Sequence, residues 1–83
     1  MLDLLFFASI RESLGVATLK LPCEETMTVR EVIGRLQELK SNKWRDVLLR
    51  PNTLYARNHE NIELDDCVKA GDELAFFPPV TGG

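Results

Sequence analysis

The chain has 83 residues, 45% of them hydrophobic and 28% charged, which fits one small globular domain and excludes both a disordered chain and a multidomain protein. A formal net charge of −3 argues against nucleic-acid binding and favours a protein partner with a basic face. No apolar run approaches the ~20 residues of a membrane span, residues 1–7 carry Asp3 and no basic leader, and two cysteines, Cys23 and Cys67, are too few for a disulfide framework, so a cytoplasmic protein with two reduced, structural thiols is expected.

Residues 2–8 alternate as a strand does. Leu2, Leu4, Phe6 and Ala8 fall on one face and have the composition of a core, whereas Asp3, Leu5 and Phe7 fall on the other, which is also mostly apolar and ill suited to water. Residues 9–14 read as a short helical segment closed by Gly15, and residues 16–21 as a second strand stopped by Pro22. Strands so closely joined predict an antiparallel pair with a helical insert. Thr28-Val29-Arg30-Glu31 is a capping box, in which hydroxyl and carboxylate each satisfy the other residue's backbone N–H. Val29, Val32, Ile33, Leu36 and Leu39 then recur at helical spacing, and the helix is expected to end near Lys40-Ser41-Asn42. Gly34, unfavourable inside a helix, predicts close packing against a sheet.

Residues 44–49, with Trp44, Val47 and Leu48 apolar, read as a second short helix broken by Pro51-Asn52. A strand at 53–57, a turn at 58–61 and a short strand at 62–64 follow, then a tight turn around Gly71 and a last strand at 73–77. One amphipathic helix covering one face of one sheet makes a two-layer α+β domain. The β-grasp (ubiquitin-like) architecture satisfies this order, as a mixed sheet of about four or five strands with the first and last paired in parallel at its centre. The domain is expected to occupy residues 1–77 and an extended tail residues 78–83.

The tail differs in character. Pro78-Pro79 cannot continue a central strand and favours an extended exit, and Val80-Thr81-Gly82-Gly83 follows. Six extended residues reach at most ~20 Å, enough to enter a partner's cleft. Gly82 and Gly83 bury nothing, but lacking a Cβ they thread a narrow channel and leave the terminal carboxylate open. A carboxylate becomes reactive only after activation, for example as an acyl-adenylate that sulfur can convert to a thiocarboxylate. The chain has no phosphate-cradling loop and a single histidine, His59, so no metal site is expected and activation falls to other proteins.

The thirteen-residue ending Gly71-Asp72-Glu73-Leu74-Ala75-Phe76-Phe77-Pro78-Pro79-Val80-Thr81-Gly82-Gly83 resembles the same segment of molybdopterin synthase small subunits. Leu5-Phe6-Phe7-Ala8 with Arg11, Glu12 and Gly15, and the Thr28-Val29 helix start, are similar to that family's opening strand, turn and helix. The resemblance implies that Gly83 is adenylated by an activating enzyme related to those of ubiquitin, using ATP and Mg held by that enzyme. It implies conversion to a thiocarboxylate with sulfur from a donor such as a cysteine desulfurase or rhodanese-like protein. It further implies transfer of that sulfur to cyclic pyranopterin monophosphate in the large subunit, within a heterotetramer of two small and two large subunits. Pro78, Pro79, Val80, Thr81 and Gly82 would thread into the partner, and no cofactor is bound by this chain. Tyr55-Ala56-Arg57-Asn58 departs from the family's more apolar strand.

Placing Leu74 and Phe76 in the core puts Phe77 on the open face, joined there by Leu5 and Phe7. That apolar patch beside the tail is expected to be the partner interface, with Arg11 on its rim. The competing readings are a sulfur carrier for thiamine or cysteine synthesis, a ubiquitin-like modifier of protein lysines, and a binding module without C-terminal chemistry.

Overall fold

The structure, a computed structural model, describes residues 1–79. Its elements in order are β1 (Leu2–Phe6), α1 (Ala8–Leu14), β2 (Thr18–Leu21), β3 (Met27–Thr28), α2 (Val29–Leu39), α3 (Asn42–Leu48), β4 (Leu54–Arg57), β5 (Glu60–Ile62), β6 (Cys67–Val68) and β7 (Glu73–Phe77). Five strands form one sheet in the order β2-β1-β7-β4-β5, and β3 pairs with β6 in a separate ribbon. Among the described residues only β1 and β7 run parallel, with Leu4 opposite Leu74 and Phe6 opposite Phe76. A central parallel pair with antiparallel flanks and a helix across one face is the β-grasp arrangement.

The core lies between this sheet and the helices. Leu2, Leu4 and Phe6 alternate into it from β1, and Leu74 and Phe76 from β7. The rings of Phe6 and Phe76 stack at 5.4 Å, and Trp44 of α3 and Tyr55 of β4 meet them edge-on at 5.5 and 5.7 Å. Burial raises the Tyr55 phenol pKa, and its hydroxyl donates to the Leu48 carbonyl at 2.7 Å, fastening the end of α3 to β4. α2 opens on the expected capping box: Thr28 Oγ1 accepts from the Glu31 N–H at 3.0 Å, and Glu31 Oε1 accepts from the Thr28 N–H at 2.9 Å. Val29, Val32, Ile33 and Leu36 are buried beneath it.

Several expectations need correction. Leu39 belongs to the apolar stripe by spacing but is 59% exposed, because α2 ends there and Trp44, Val47 and Leu48 of α3 fill the core instead. Ala8 does not extend the core face of β1. It is exposed, takes φ of +50° and opens α1. Gly34 marks no close packing, since a Cβ there would meet nothing within 4 Å. β2 starts at Thr18, two residues later than expected from Val16. The turn after β4 is only Asn58-His59, both at positive φ, as a two-residue hairpin requires, so β5 begins at Glu60. The β3–β6 ribbon has no sequence signal, being two residues a side. Arg57 is accounted for by this ribbon: its Nη1 donates to the Cys67 carbonyl at 2.6 Å and clips β4 to β6. Cys23 is buried and Cys67 exposed, both as free thiols.

A second clip secures the start of β7. The Asp72 carboxylate, in a residue 6% exposed, accepts from the Lys69 N–H at 2.9 Å and from Asn58 Nδ2 at 3.0 Å. Asn58 also exchanges bonds with the Glu73 backbone, its Oδ1 accepting and its N–H donating, both at 2.9 Å. The Asn58 amide, then the Lys69 N–H, hold the Asp72 carboxyl below its ordinary pKa against the opposing effect of burial. A folded-state value below the unfolded one stabilises the fold above the unfolded carboxylate range, and this contribution is lost as pH falls through the folded value.

Two outcomes follow. Gly34→Ala raises the unfolding free energy by about 0.5–1 kcal/mol in denaturant titration, whereas a packed glycine would give a loss. Asp72→Asn destabilises most at neutral pH, and its deficit shrinks below about pH 4 in urea titrations across the acid range.

Candidate functional site

The sheet face opposite α2 carries the candidate site. β1 contributes Leu5, half-buried, and β7 contributes Ala75 and Phe77. On β4, Leu54 stands opposite Phe77 and Ala56 opposite Ala75, so both alanines sit on this open face, shielded by the larger side chains around them. Phe7 lies one residue past the end of β1, but its backbone is still extended, with φ −120° and ψ 152°, so strand alternation carries its ring to the same face. There it lies flat on Phe77, centroids 4.5 Å apart and planes within 6°. Phe7 remains 37% exposed and Leu54 40%. Solvent-facing aromatic and aliphatic surface of this kind, gathered at one end of a sheet, is the usual mark of a docking site.

Backbone bonds set this geometry. The Phe7 N–H donates to the Phe76 carbonyl at 3.2 Å, continuing the β1–β7 ladder, and the Phe7 carbonyl accepts from the N–H groups of Ile10 and Arg11 at 3.1 and 3.3 Å, starting α1. Gly15 closes α1 in the left-handed region, its N–H donating to the Arg11 carbonyl at 2.8 Å. A shallow depression of about 220 Å³ lies beside the stack, bounded by Leu5, Ala75 and Ala56 on its floor and by His59 and Glu73 at its edge. His59 Nε2 and Glu73 Oε2 are 3.6 Å apart, with the His59 side chain 89% exposed. Exposed pairs of this sort contribute little to stability.

The structure therefore brings Leu5, Phe7 and Phe77 together. Arg11 is exposed on α1, and among the described residues no salt bridge engages it. Pro78 and Pro79 follow Phe77, outside the strand and half-buried. Val80, Thr81, Gly82 and Gly83 lie outside the described residues. Leu54 was not foreseen. Its signal is the alternation of Leu54 and Ala56 with Tyr55 and Arg57, which becomes informative only once β4 is known to lie against β7. Among the described residues, no cluster of three or more His, Cys, Asp or Glu could hold a metal, and no helix is long and apolar enough to cross a membrane.

The pattern of the ThiS family matches residues 4–83. The chain belongs to the ThiS family. It is 42% identical over 83 residues to the molybdopterin synthase sulfur carrier subunit of Haemophilus influenzae, covering all of both chains. It is 34% identical to small archaeal modifier protein 1 of Haloferax volcanii, covering 93% of this chain and 94% of that one. The crystal structure of SAMP1 from Haloferax volcanii superposes with a TM-score of 0.81 at 28% identity, covering 99% of this chain and 98% of that one. The β-grasp assignment thus stands on the strand order and on the likeness to this solved structure alike.

The two phenylalanines of β7 separate the faces experimentally. Phe77→Ala costs the isolated chain about 1–2 kcal/mol, the value of a half-exposed aromatic contact. Phe76→Ala costs about 3–5 kcal/mol because it opens a cavity in the core. Chemical denaturation of both variants checks the assignment, and a reversed order would contradict it.

Proposed function

We propose that this chain is the sulfur-carrier subunit of a molybdopterin synthase, and that the Gly83 carboxyl group is its reactive group. The observation that supports this most is the full-length similarity to a relative of that name, over an alignment that takes in the Phe77-Pro78-Pro79-Val80-Thr81-Gly82-Gly83 ending. In this reading a Gly83 carboxylate oxygen attacks the α-phosphorus of ATP on a ubiquitin-activating-type adenylyltransferase, and pyrophosphate leaves. The outer sulfur of a persulfide on a cysteine desulfurase or rhodanese-like donor then attacks the glycyl carbon and displaces AMP. A thiol reductant cleaves the resulting acyl disulfide, releasing the thiocarboxylate and leaving the donor cysteine in a disulfide with the reductant. The tail, from Pro78 through Gly82, threads into the large subunit, where the sulfur passes to cyclic pyranopterin monophosphate. ATP, Mg and the catalytic side chains belong to the partners, and this chain binds no cofactor of its own.

The open face gives the reading its docking surface. Phe77, Phe7 and Leu5, with Leu54 beside them, form a patch at the end of the sheet from which Pro78 departs, and in this reading the exposed Arg11 adds a charged contact to the partner. Binding energy at such a patch concentrates in a few aromatic anchors. The partner in this reading is the large synthase subunit, in an assembly of two small and two large subunits in the cytoplasm. The similarity to a small archaeal modifier protein favours one alternative, in which the same activated Gly83 is attacked by a lysine amine and forms an isopeptide bond.

Intact-mass measurement after incubation with the activating enzyme, ATP and a sulfur donor tests the proposal. The carrier reading expects one oxygen replaced by one sulfur, located at Gly83 and abolished by deleting that residue. Stable isopeptide ladders in cell extract, without a thiocarboxylate pool, would favour the modifier reading, and an unchanged mass would reject both.

A further inference from the structure

The elbow between β1 and α1 is tightly constrained. Phe7 is held on three sides: its N–H by the Phe76 carbonyl, its carbonyl by two N–H groups of α1, and its ring by Phe77. Ala8 follows at φ +50°, a region that residues with a Cβ rarely enter. Glycine relieves that strain, and the chain uses glycine at φ +79° to close the same helix and at φ +92° before β7. At the elbow it uses alanine, although the position is exposed and no packing calls for a methyl group. What the Cβ does supply is a narrow φ well, which glycine lacks. Strained backbone persists where the surroundings over-determine it, and such positions cluster at functional sites.

We propose that Phe7 and Ala8 are positioning residues: the stiff elbow at Ala8 holds the Phe7 ring flat on Phe77, and this stack sets the heading on which Pro78-Pro79 leaves β7. The role rests on the carrier reading, because a fixed heading matters only if the residues beyond must enter a partner's cleft. A stack that merely widened the docking patch would act on affinity. A stack that aims the tail acts on the reaction that follows docking, where small misplacements of the reacting group are expensive.

The test uses the full chain carrying Ala8→Gly or Phe7→Leu, with Phe7→Tyr as the restoring variant. On the chain alone, ring-current shifts of the Phe77 ring and Pro78 δ protons report the stack. Ala8→Gly is expected to move both toward their unstacked values while the unfolding midpoint stays level or rises. In the thiocarboxylate-forming reaction, with this chain as the varied substrate, both variants should lower kcat about tenfold or more and leave KM within about threefold. Phe7→Tyr should return kcat to the wild-type value. The proposal is overturned if Ala8→Gly leaves the Pro78 shifts and kcat unchanged, if the loss falls on KM alone, or if kcat falls only in step with stability. The chemical-shift readout needs no activating enzyme, so it decides whether the elbow sets the stack and the exit of Pro78 separately from whether Gly83 is ever activated.

Discussion

The parallel pairing of β1 with β7 is the constraint on which everything else in this molecule depends. It joins the two ends of the chain, so it closes the largest loop available and requires strong side-chain burial to offset the lost chain entropy. Leu4 against Leu74 and Phe6 against Phe76 supply it, with the two rings stacked and then enclosed by Trp44 and Tyr55. Because the strands run the same way, β1 and β7 finish at the same end of the sheet. The start of α1, the Phe7–Phe77 stack and the departure of Pro78 are consequently all brought to one place.

In the carrier reading, that arrangement suits a chain whose chemistry is carried out by its partners. Among the described residues no group of three or more His, Cys, Asp or Glu could hold a metal, and the pairs Lys20–Asp3, Arg30–Asp65 and Arg45–Asp46 are exposed and of little energetic weight. The fold instead concentrates its specialised features around the last strand. The Asn58–Asp72 network secures the start of β7, and Phe7 secures its end. A strand clipped at both ends is a rigid base from which to present a short tail. In the carrier reading, rigidity reduces the ordering cost when the tail enters a partner.

The amino-acid sequence by itself determined most of the local elements. The capping box at Thr28, the alternation through Leu2, Leu4 and Phe6, the closing Gly15 and the limits of β7 each rest on neighbours within a few residues, so they could be read directly. The two faces of β1 and β7 were legible for the same reason, and with them the grouping of Leu5, Phe7 and Phe77. Only the tertiary structure decided the rest. Leu39 is apolar and in phase, yet exposed, because the sheet and α3 leave nothing for it to cover. Leu54 joins the site because β4 lies against β7, and Arg57 is a clip because β6 lies within its reach. The left-handed Ala8 was invisible, since alanine has no local preference for that conformation. Contacts between distant segments made these choices, and no spacing rule along the chain encodes them.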